Sequence, residues 1–411
     1  MKRYPKYKDS GIEWLGEVPE GWEVIRLRNT INYKKGKNPT TLFEDNLNNQ
    51  YLPYLSMDYL RNSGDESHFV EKSKNTVIAN DGDILLLWDG SNAGEFIVSK
   101  NGAVSSTMAK IFPDKKLDKR FCFFLCKTIE PILREHTIGM GIPHVNANIL
   151  KNIVCPSPLK NEQTAIATFL DHKTAKIDEL IKKNETLVEL LKEKRQAIIS
   201  HAVTKGLDPN ANMKNSGVEW IGEIPQGWEV KRLKFNLQLL TEKTDRRENP
   251  VALENIESWL GEYKETESEF QGEGVAFEKG DILFGKLRPY LAKVWLAYFS
   301  GEAIGDFFVM RPSLDIDGRF AVYQILNKEF ISIVDGSTFG AKMPRVSWDF
   351  MANLRLPTPH IVEQHAIADY IGRETGKIDA TIQKILSQIA TLKEYRQTLI
   401  SNVVTGKVRV L

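Results

Sequence analysis

The residue types that most often carry chemistry are present but poorly arranged for it. Cys122 and Cys126 lie one helical turn apart in the apolar run RFCFFLCKTI, with no histidine close in sequence, so they read as core packing rather than half a metal site. Residues 336–342 (GSTFGAK) bear a superficial likeness to a phosphate loop. Their glycine spacing is wrong, and the lysine is not followed by a hydroxyl. The seven histidines show no HxxxH pairing, and no Asn/Asp-Pro-Pro-aromatic tetrapeptide is present to grip an exocyclic amine. What the chain does offer is side chains suited to holding a nucleic acid: Lys and Arg for phosphates, and Arg, Lys, Asn, Gln, Ser and Thr for base edges. They fall in three regions. The first is Lys286, Arg288 and Tyr290 directly after a strand-like run, matched in the first half by Trp88, Ser91 and Asn92. The second is Ser105, Ser106 and Thr107, entering a run that carries Lys110. The third is a glycine loop, residues 136–144, with Gly139, Gly141 and His144, matched by residues 337–345 with Lys342 and Arg345.

The elements that must position these residues are written twice. Residues 9–27 and 215–233 share 13 of 19 positions, and residues 143–204 and 344–405 share 25 of 62. Between these blocks the halves diverge, apart from GDIL at residues 82–85 and 280–283. Ends that match around middles that differ imply one scaffold used twice to present two surfaces, with pseudo-two-fold symmetry as in a covalently linked dimer. Trp14, Trp22, Trp220 and Trp228 lie in the shared block, whereas sequence readers should differ between halves. They are therefore assigned to packing rather than base stacking.

Residues 162–203 contain no Gly or Pro, which predicts a helix, bent near residues 171–174. Ile177, Ile181, Val188, Leu191 and Ile198 recur at heptad spacing, as do Ile378, Ile382, Ile385, Ile389, Leu392 and Leu399 in the second copy. Each helix therefore wants a partner, and an antiparallel pair treats both halves equally. A helix of roughly 35 residues would span about 50 Å, enough to hold two domains about one turn of duplex apart or more. Glu162, Gln163, Glu363 and Gln364 are read as helix starts. The divergent segments, about 28–142 and 234–343, read as α+β, with short strands and then helical stretches at 118–134 and 317–334. The expected class is α+β: two mixed domains (1–158 and 207–359) separated by two long helices (159–206 and 360–411) that form an antiparallel coiled coil.

Length, a charged fraction of 27% and the absence of a long apolar run favour a soluble cytoplasmic chain with no membrane role. Three cysteines, an odd number, suit a reducing compartment. A net charge of +1 requires any DNA-facing patch to be local, or partners to supply the phosphate neutralisation.

SGIEWLGEVPEGWEV and SGVEWIGEIPQGWEV, PSPLKNEQTAIATFL and PTPHIVEQHAIADYI, and GDILLLWDG and GDILFGKLRPYLAK resemble recurring motifs of type I restriction-modification specificity subunits, over essentially the whole chain. That resemblance implies a non-catalytic subunit whose variable domains each read one half of a bipartite double-stranded DNA target. Its helices would set the half-site spacing and dock two methyltransferase (modification) subunits. No cofactor is expected on this chain. S-adenosylmethionine would sit on the modification subunit, which flips and methylates an adenine, and ATP and Mg on the restriction subunits. The rival readings are a coiled-coil adaptor that does not read DNA, and a DNA methyltransferase with unrecognised motifs.

Overall fold

The computed structural model describes residues 2–46, 50–61, 68–244, 248–266, 273–340 and 342–410. The chain forms two compact units, residues 1–183 with 388–411, and residues 184–387. The two long helices are Lys160–Lys205 and Ile361–Val404. Both cross the division, so each unit holds one variable segment, the beginning of the helix that follows it, and the end of the other helix.

Both helices are longer than the heptad pattern implied. At 1.5 Å per residue, 46 and 44 residues span about 69 and 66 Å. The helix is not interrupted at residues 171–174. Thr174 turns its hydroxyl back onto the Asp171 carbonyl at 3.5 Å and stays within the helix, and no Gly or Pro interrupts the backbone ladder there. Gly206 and Gly406, both at φ 76°, follow the helix ends in the left-handed conformation that favours glycine.

The helices pack antiparallel within each unit. In the first, Glu162 near the start of one helix accepts from Trp22 Nε1 at 3.0 Å. The Trp22 ring lies against Gly406, just past the end of the other helix. Further along the pair, Arg396 donates to Asp178 at 2.7 and 3.1 Å. In the second unit, Gly206 lies beside Glu363, and Arg195 donates to Asp379 at 3.0 and 3.1 Å. The two Asp–Arg pairs join repeat-equivalent residues. Of the predicted seam, Ile177, Ile181, Val188, Ile378, Ile382, Ile385, Ile389 and Leu399 are buried. Leu191, Ile198 and Leu392 are half-buried, and near the first helix end burial passes to Ile199, Ala202 and Val203. A straight helix drifts off a strict seven-residue repeat, so the buried face moves by one position over that length.

In the second unit Ile199, Ala202 and Val203 pack in one cluster with Ile221, Ile224 and Trp228 of the opening motif and Ile367, Ala368 and Ile371 of the other helix. Their repeat equivalents, among them Leu15, Val18, Trp22, Ile166, Leu170, Ile400 and Val403, are equally buried in the first. The shared tryptophans Trp22 and Trp228 are thus core residues, each 2% exposed. Gln163 and Gln364 are buried too. Gln163 accepts from Asp118 N at 2.8 Å and donates to the Pro158 carbonyl at 2.8 Å. Gln364 does the same with Asp317 N and Pro359 at 2.9 and 2.8 Å. Asp118 and Asp317 cap the helices Lys119–Glu135 and Gly318–Ile325, so one amide ties the start of the long helix to that cap.

Each variable segment builds two four-stranded sheets; the first matches between halves, while in the second the edge strand 69–70 joins the parallel partner in one unit and the edge strand 243–244 joins the antiparallel partner in the other. One is antiparallel: strands 31–35, 108–113, 84–87 and 96–98 in the first unit, and 237–240, 307–312, 282–285 and 294–296 in the second. The other sheet contains one parallel pair, Ala103 beside Tyr54 in the first unit and Ala303 beside Val251 in the second. The helical stretch 118–134 appears as Lys119–Glu135 with Cys122 and Cys126 fully buried. The stretch 317–334 is two helices, Gly318–Ile325 and Lys328–Gly336, because Asn327 accepts from the amides of Glu329 and Phe330 and starts a new helix.

The Arg195 and Arg396 side chains are 6% and 26% exposed, and Arg195 also donates to the Trp259 carbonyl at 2.9 Å. Arg195→Ala strands a more deeply buried carboxylate and a carbonyl, and is expected to lose about 3 kcal/mol of stability. Arg396→Ala should lose about 1 kcal/mol. Chemical denaturation of the two variants checks the order, and equal losses would contradict it.

Candidate nucleic-acid interface

The shared GDIL motif supplies the frame. In both halves a glycine of positive φ, Gly82 or Gly280, precedes an aspartate that folds back on the turn. Asp83 accepts from Asn80 N, and Asp281 from Glu278 N, each at 2.8 Å. Each carboxylate is then met by a cation from the neighbouring strand. Lys110 lies 2.6 Å from Asp83, and Arg311, two residues further along the corresponding strand, binds Asp281 at 2.8 and 2.9 Å. Burial would raise the Asp83 carboxyl, but hydrogen bonds from Lys110, Lys119 and the Asn80 amide outweigh it and hold it down at about 2. Lys110 also donates to the Ile78 carbonyl at 3.0 Å, and its side chain is 12% exposed. Its ammonium is therefore committed inside the domain, which corrects its place among the DNA-contacting candidates. Ser105 is likewise buried, its hydroxyl 3.0 Å from that of Thr107.

The remaining candidates come together. In the first unit the amides of Trp88 and Asp89 donate to Thr107 O at 2.8 and 3.2 Å. Gly90 N donates to Pro143 O at 2.9 Å, and Val145 N to Trp88 O at 2.9 Å. In the second unit Lys286 N donates to Asp306 O at 2.8 Å, Arg288 N to Pro344 O at 2.8 Å, and Val346 N to Lys286 O at 3.1 Å. Three segments, a strand end, a strand-to-strand turn and a hairpin, are thus stitched by the same backbone bonds in both halves.

The side chains on that shared backbone differ. In the first unit Asp89 is the hub, 2.6 Å from His144 Nδ1 and 2.8 Å from Lys35. Burial pushes its carboxyl up, but Lys35 and His144 more than offset this and leave it below the ordinary value. In the second unit the hub is Asp306, at the position of Thr107. It is bound by Arg345 at 3.0 and 2.9 Å and approached by Lys286 at 3.9 Å. The Asp306 bond raises the Arg345 guanidinium above its usual value.

Ser91, Thr107, Gly139, Gly141, Arg288, Tyr290 and Lys342 are exposed, while Trp88, Asn92, Ser106, His144, Lys286 and Arg345 are partly so. Ala341, in the same loop, lies outside the described residues. Arg288 has φ 52°, a left-handed conformation expensive for any residue but glycine; Gly90, with φ 102°, holds the equivalent place.

Some neighbours of these residues were not foreseen. Tyr33 packs on Trp88 with ring centres 4.9 Å apart and the planes tilted by 33°; Lys35 lies over the Trp88 ring and Lys151 over Tyr33. In the second unit Lys286 lies over Phe308, which packs on Trp348. A cleft of about 460 Å³ in the first unit is lined in part by Lys37, Asn38, Thr40, Lys72 and Asn75, and Asn38 accepts from Ser106 at its edge. The basic run YKKGK at residues 33–37 was the available signal.

The family model of the type I restriction modification DNA specificity domain matches residues 19–190. The chain is 31% identical over 437 residues to the type I restriction enzyme MjaVIII specificity subunit of Methanocaldococcus jannaschii, covering 98% of this chain and 97% of that one. It is 21% identical to the EcoDI specificity subunit of Escherichia coli, covering 95% and 90%. Among solved structures, a chain from work on complex assembly and conformational transition of the type I R-M system superposes with a TM-score of 0.70 at 15% identity, covering 95% of this chain and 99% of that one. The HsdS subunit from Thermoanaerobacter tengcongensis gives 0.50 at 15% identity, with 97% and 100% covered. The chain belongs to the family of type I restriction enzyme specificity subunits, the DNA-recognition components of these systems.

The Asp83 pair makes a prediction. A carboxyl with a depressed folded pKa stabilises fully above its unfolded value near 4, and the contribution disappears as pH falls toward 2. Lys110→Met should therefore destabilise by about 2 kcal/mol at neutral pH. The gap from the parent should close between pH 4 and 2, as read by denaturation at each pH. The salt dependence of DNA binding should not change, since no phosphate contact is removed.

Proposed function

We propose that each variable segment reads one half of an interrupted double-stranded DNA target through the three-segment face just described, and that this chain carries out no chemistry itself. In the first unit the readers are Trp88, Ser91, Asn92, Ser106, Thr107, His144 and the backbone at Gly139 and Gly141. In the second they are Lys286, Arg288, Tyr290, Lys342 and Arg345. The observation that carries the reading is the doubled face: one set of backbone bonds presenting two unlike sets of polar side chains. A sequence reader that must recognise two different half-sites on one scaffold needs that combination.

In this reading the domains run over residues 1–158 and 207–359, with the long helices at 159–206 and 360–411 as spacer between half-sites and as docking surface for two modification subunits. Those subunits bind S-adenosylmethionine and methylate adenine, and ATP- and Mg-dependent restriction subunits complete the complex. With a net charge of +1, the chain leaves much of the phosphate neutralisation to those partners.

Profiling methylated adenines in cells with and without the gene supplies the target motif. Exchanging residues 28–142 for the segment of another family member should then alter one half of that motif. Alteration of both halves, or of neither, refutes the modular assignment.

A second test uses the strained arginine. Arg288→Gly puts the residue of the first half in its place. It should leave folding stability unchanged or raise it by up to about 1 kcal/mol. Target affinity should fall by 10-fold or more through one side of the motif, since a good arginine–base contact is worth about 1–3 kcal/mol. Loss of stability together with affinity would make Arg288 a structural residue.

A further inference from the structure

Resting on that reading, we propose that the two hairpins at residues 138–144 and 339–345 are apolar wedges that enter the bound duplex and unstack one base step in each half-target. Each hairpin is closed by reciprocal backbone bonds, Ile138 with His144 at 2.9 and 2.7 Å, and Phe339 with Arg345 at 3.1 and 3.1 Å. Gly139 and Gly340 turn both hairpins at φ 106° and 96°, and a Cβ on Gly139 would press on the Ile142 carbonyl and the His144 ring.

The tips carry apolar side chains into solvent. Ile138, Met140 and Ile142 are 54%, 106% and 61% exposed, and Phe339 and Met343 are 63% and 46% exposed. Ile138 is the repeat equivalent of Phe339, and Ile142 of Met343. Large apolar residues thus persist at two exposed positions inside segments that otherwise diverge. The exposure does not come from a loose end. The hairpin bases are pinned by His144 on Asp89 and Arg345 on Asp306.

A narrow, apolar tip restricts what can cover it. Two or three side chains on each tip offer far less than the roughly 800 Å² per partner of a stable protein interface. Exposed Arg288 and Lys342 stand by the hairpin in the second unit, and Lys151 lies over Tyr33 of the Trp88–Tyr33 pair in the first. The occupant that combines a polyanionic surface with narrow apolar slots is a duplex, whose base faces and thymine methyls are its apolar parts. Side chains such as Phe, Leu, Ile and Met that insert between base pairs partially unstack and kink the helix there.

The test uses the chain assembled with its partner subunits on a duplex of the profiled motif, with 2-aminopurine replacing one adenine at a time. The unsubstituted complex should show a fluorescence rise at one step in each half-target. Met140→Ser combined with Ile142→Ser should abolish the rise in one half-target only and weaken binding 10- to 100-fold. The salt slope and the thermal unfolding midpoint should stay the same, and Met140→Leu alone should behave as the parent. Phe339→Ser should do the same in the other half. Specific binding with no fluorescence rise anywhere, or a rise that survives the substitutions, overturns the wedge and leaves the DNA-reading assignment standing. Absence of any sequence preference overturns both. Loss of partner assembly rather than of the fluorescence signal assigns the tips to protein docking and refutes the proposal.

Discussion

A helix of more than forty residues with an apolar stripe along it cannot persist in water without something to cover the stripe. Here the cover for the start of each long helix is the end of the other, so neither compact unit is complete from one half of the sequence. Ile199, Ala202 and Val203 close the core around Trp228 and Ile371, and the repeat supplies Ile400 and Val403 for the corresponding place. Gln163 and Gln364 then carry this order outward. By binding the caps at Asp118 and Asp317, they fix the helices Lys119–Glu135 and Gly318–Ile325 to the helix pair. The residues that recur between the repeats are the ones that build this frame.

Above the frame, the two halves solve one electrostatic problem differently. The hairpin ends in a cation in one half and an imidazole in the other, and each needs an acceptor. The second unit places it at Asp306; the first places it at Asp89, on a different segment. Because the backbone bonds beneath are unchanged, the charge can move between segments without disturbing the fold. Gly90 and Arg288 make the same point about conformation. The loop demands a left-handed residue; one half meets the demand with glycine, the other with an arginine held there by the surrounding bonds.

Much of this was legible because duplication made it so. The helices, their antiparallel pairing and the packing role of the shared tryptophans followed from which residues recur and at what period. The misreadings have physical causes. A break or bend was expected at residues 171–174 because Asp, His and Thr are weak helix formers, yet the helix runs through that stretch without a break. Lys110 looked like a surface cation because a lysine in a strand usually is one. The cation that meets the shared aspartate is displaced by two residues between the halves, Lys110 in one and Arg311 in the other, so comparing the repeats position by position did not mark it as internal. Tyr33, Lys35 and Lys151 escaped because their strand and helix meet Trp88 only through tertiary pairing, which no local pattern encodes.

In the proposed reading, the pairing of cations on the face bears on how it would meet DNA. Lys35 is bound to Asp89, Arg345 to Asp306, and Lys286 faces Asp306 as well, so little free positive charge is presented beyond Arg288 and Lys342. A surface of that kind attracts phosphate weakly, because its counterions are its own carboxylates and few condensed ions are released on contact. The sequence-independent part of binding is then small, while the held geometry of the side chains is retained for base edges. Discrimination between sites depends on the difference between specific and non-specific affinity rather than on either alone. A nearly neutral chain that holds its polar groups in place with internal ion pairs favours that difference, and it leaves bulk attraction to whatever assembles beside it.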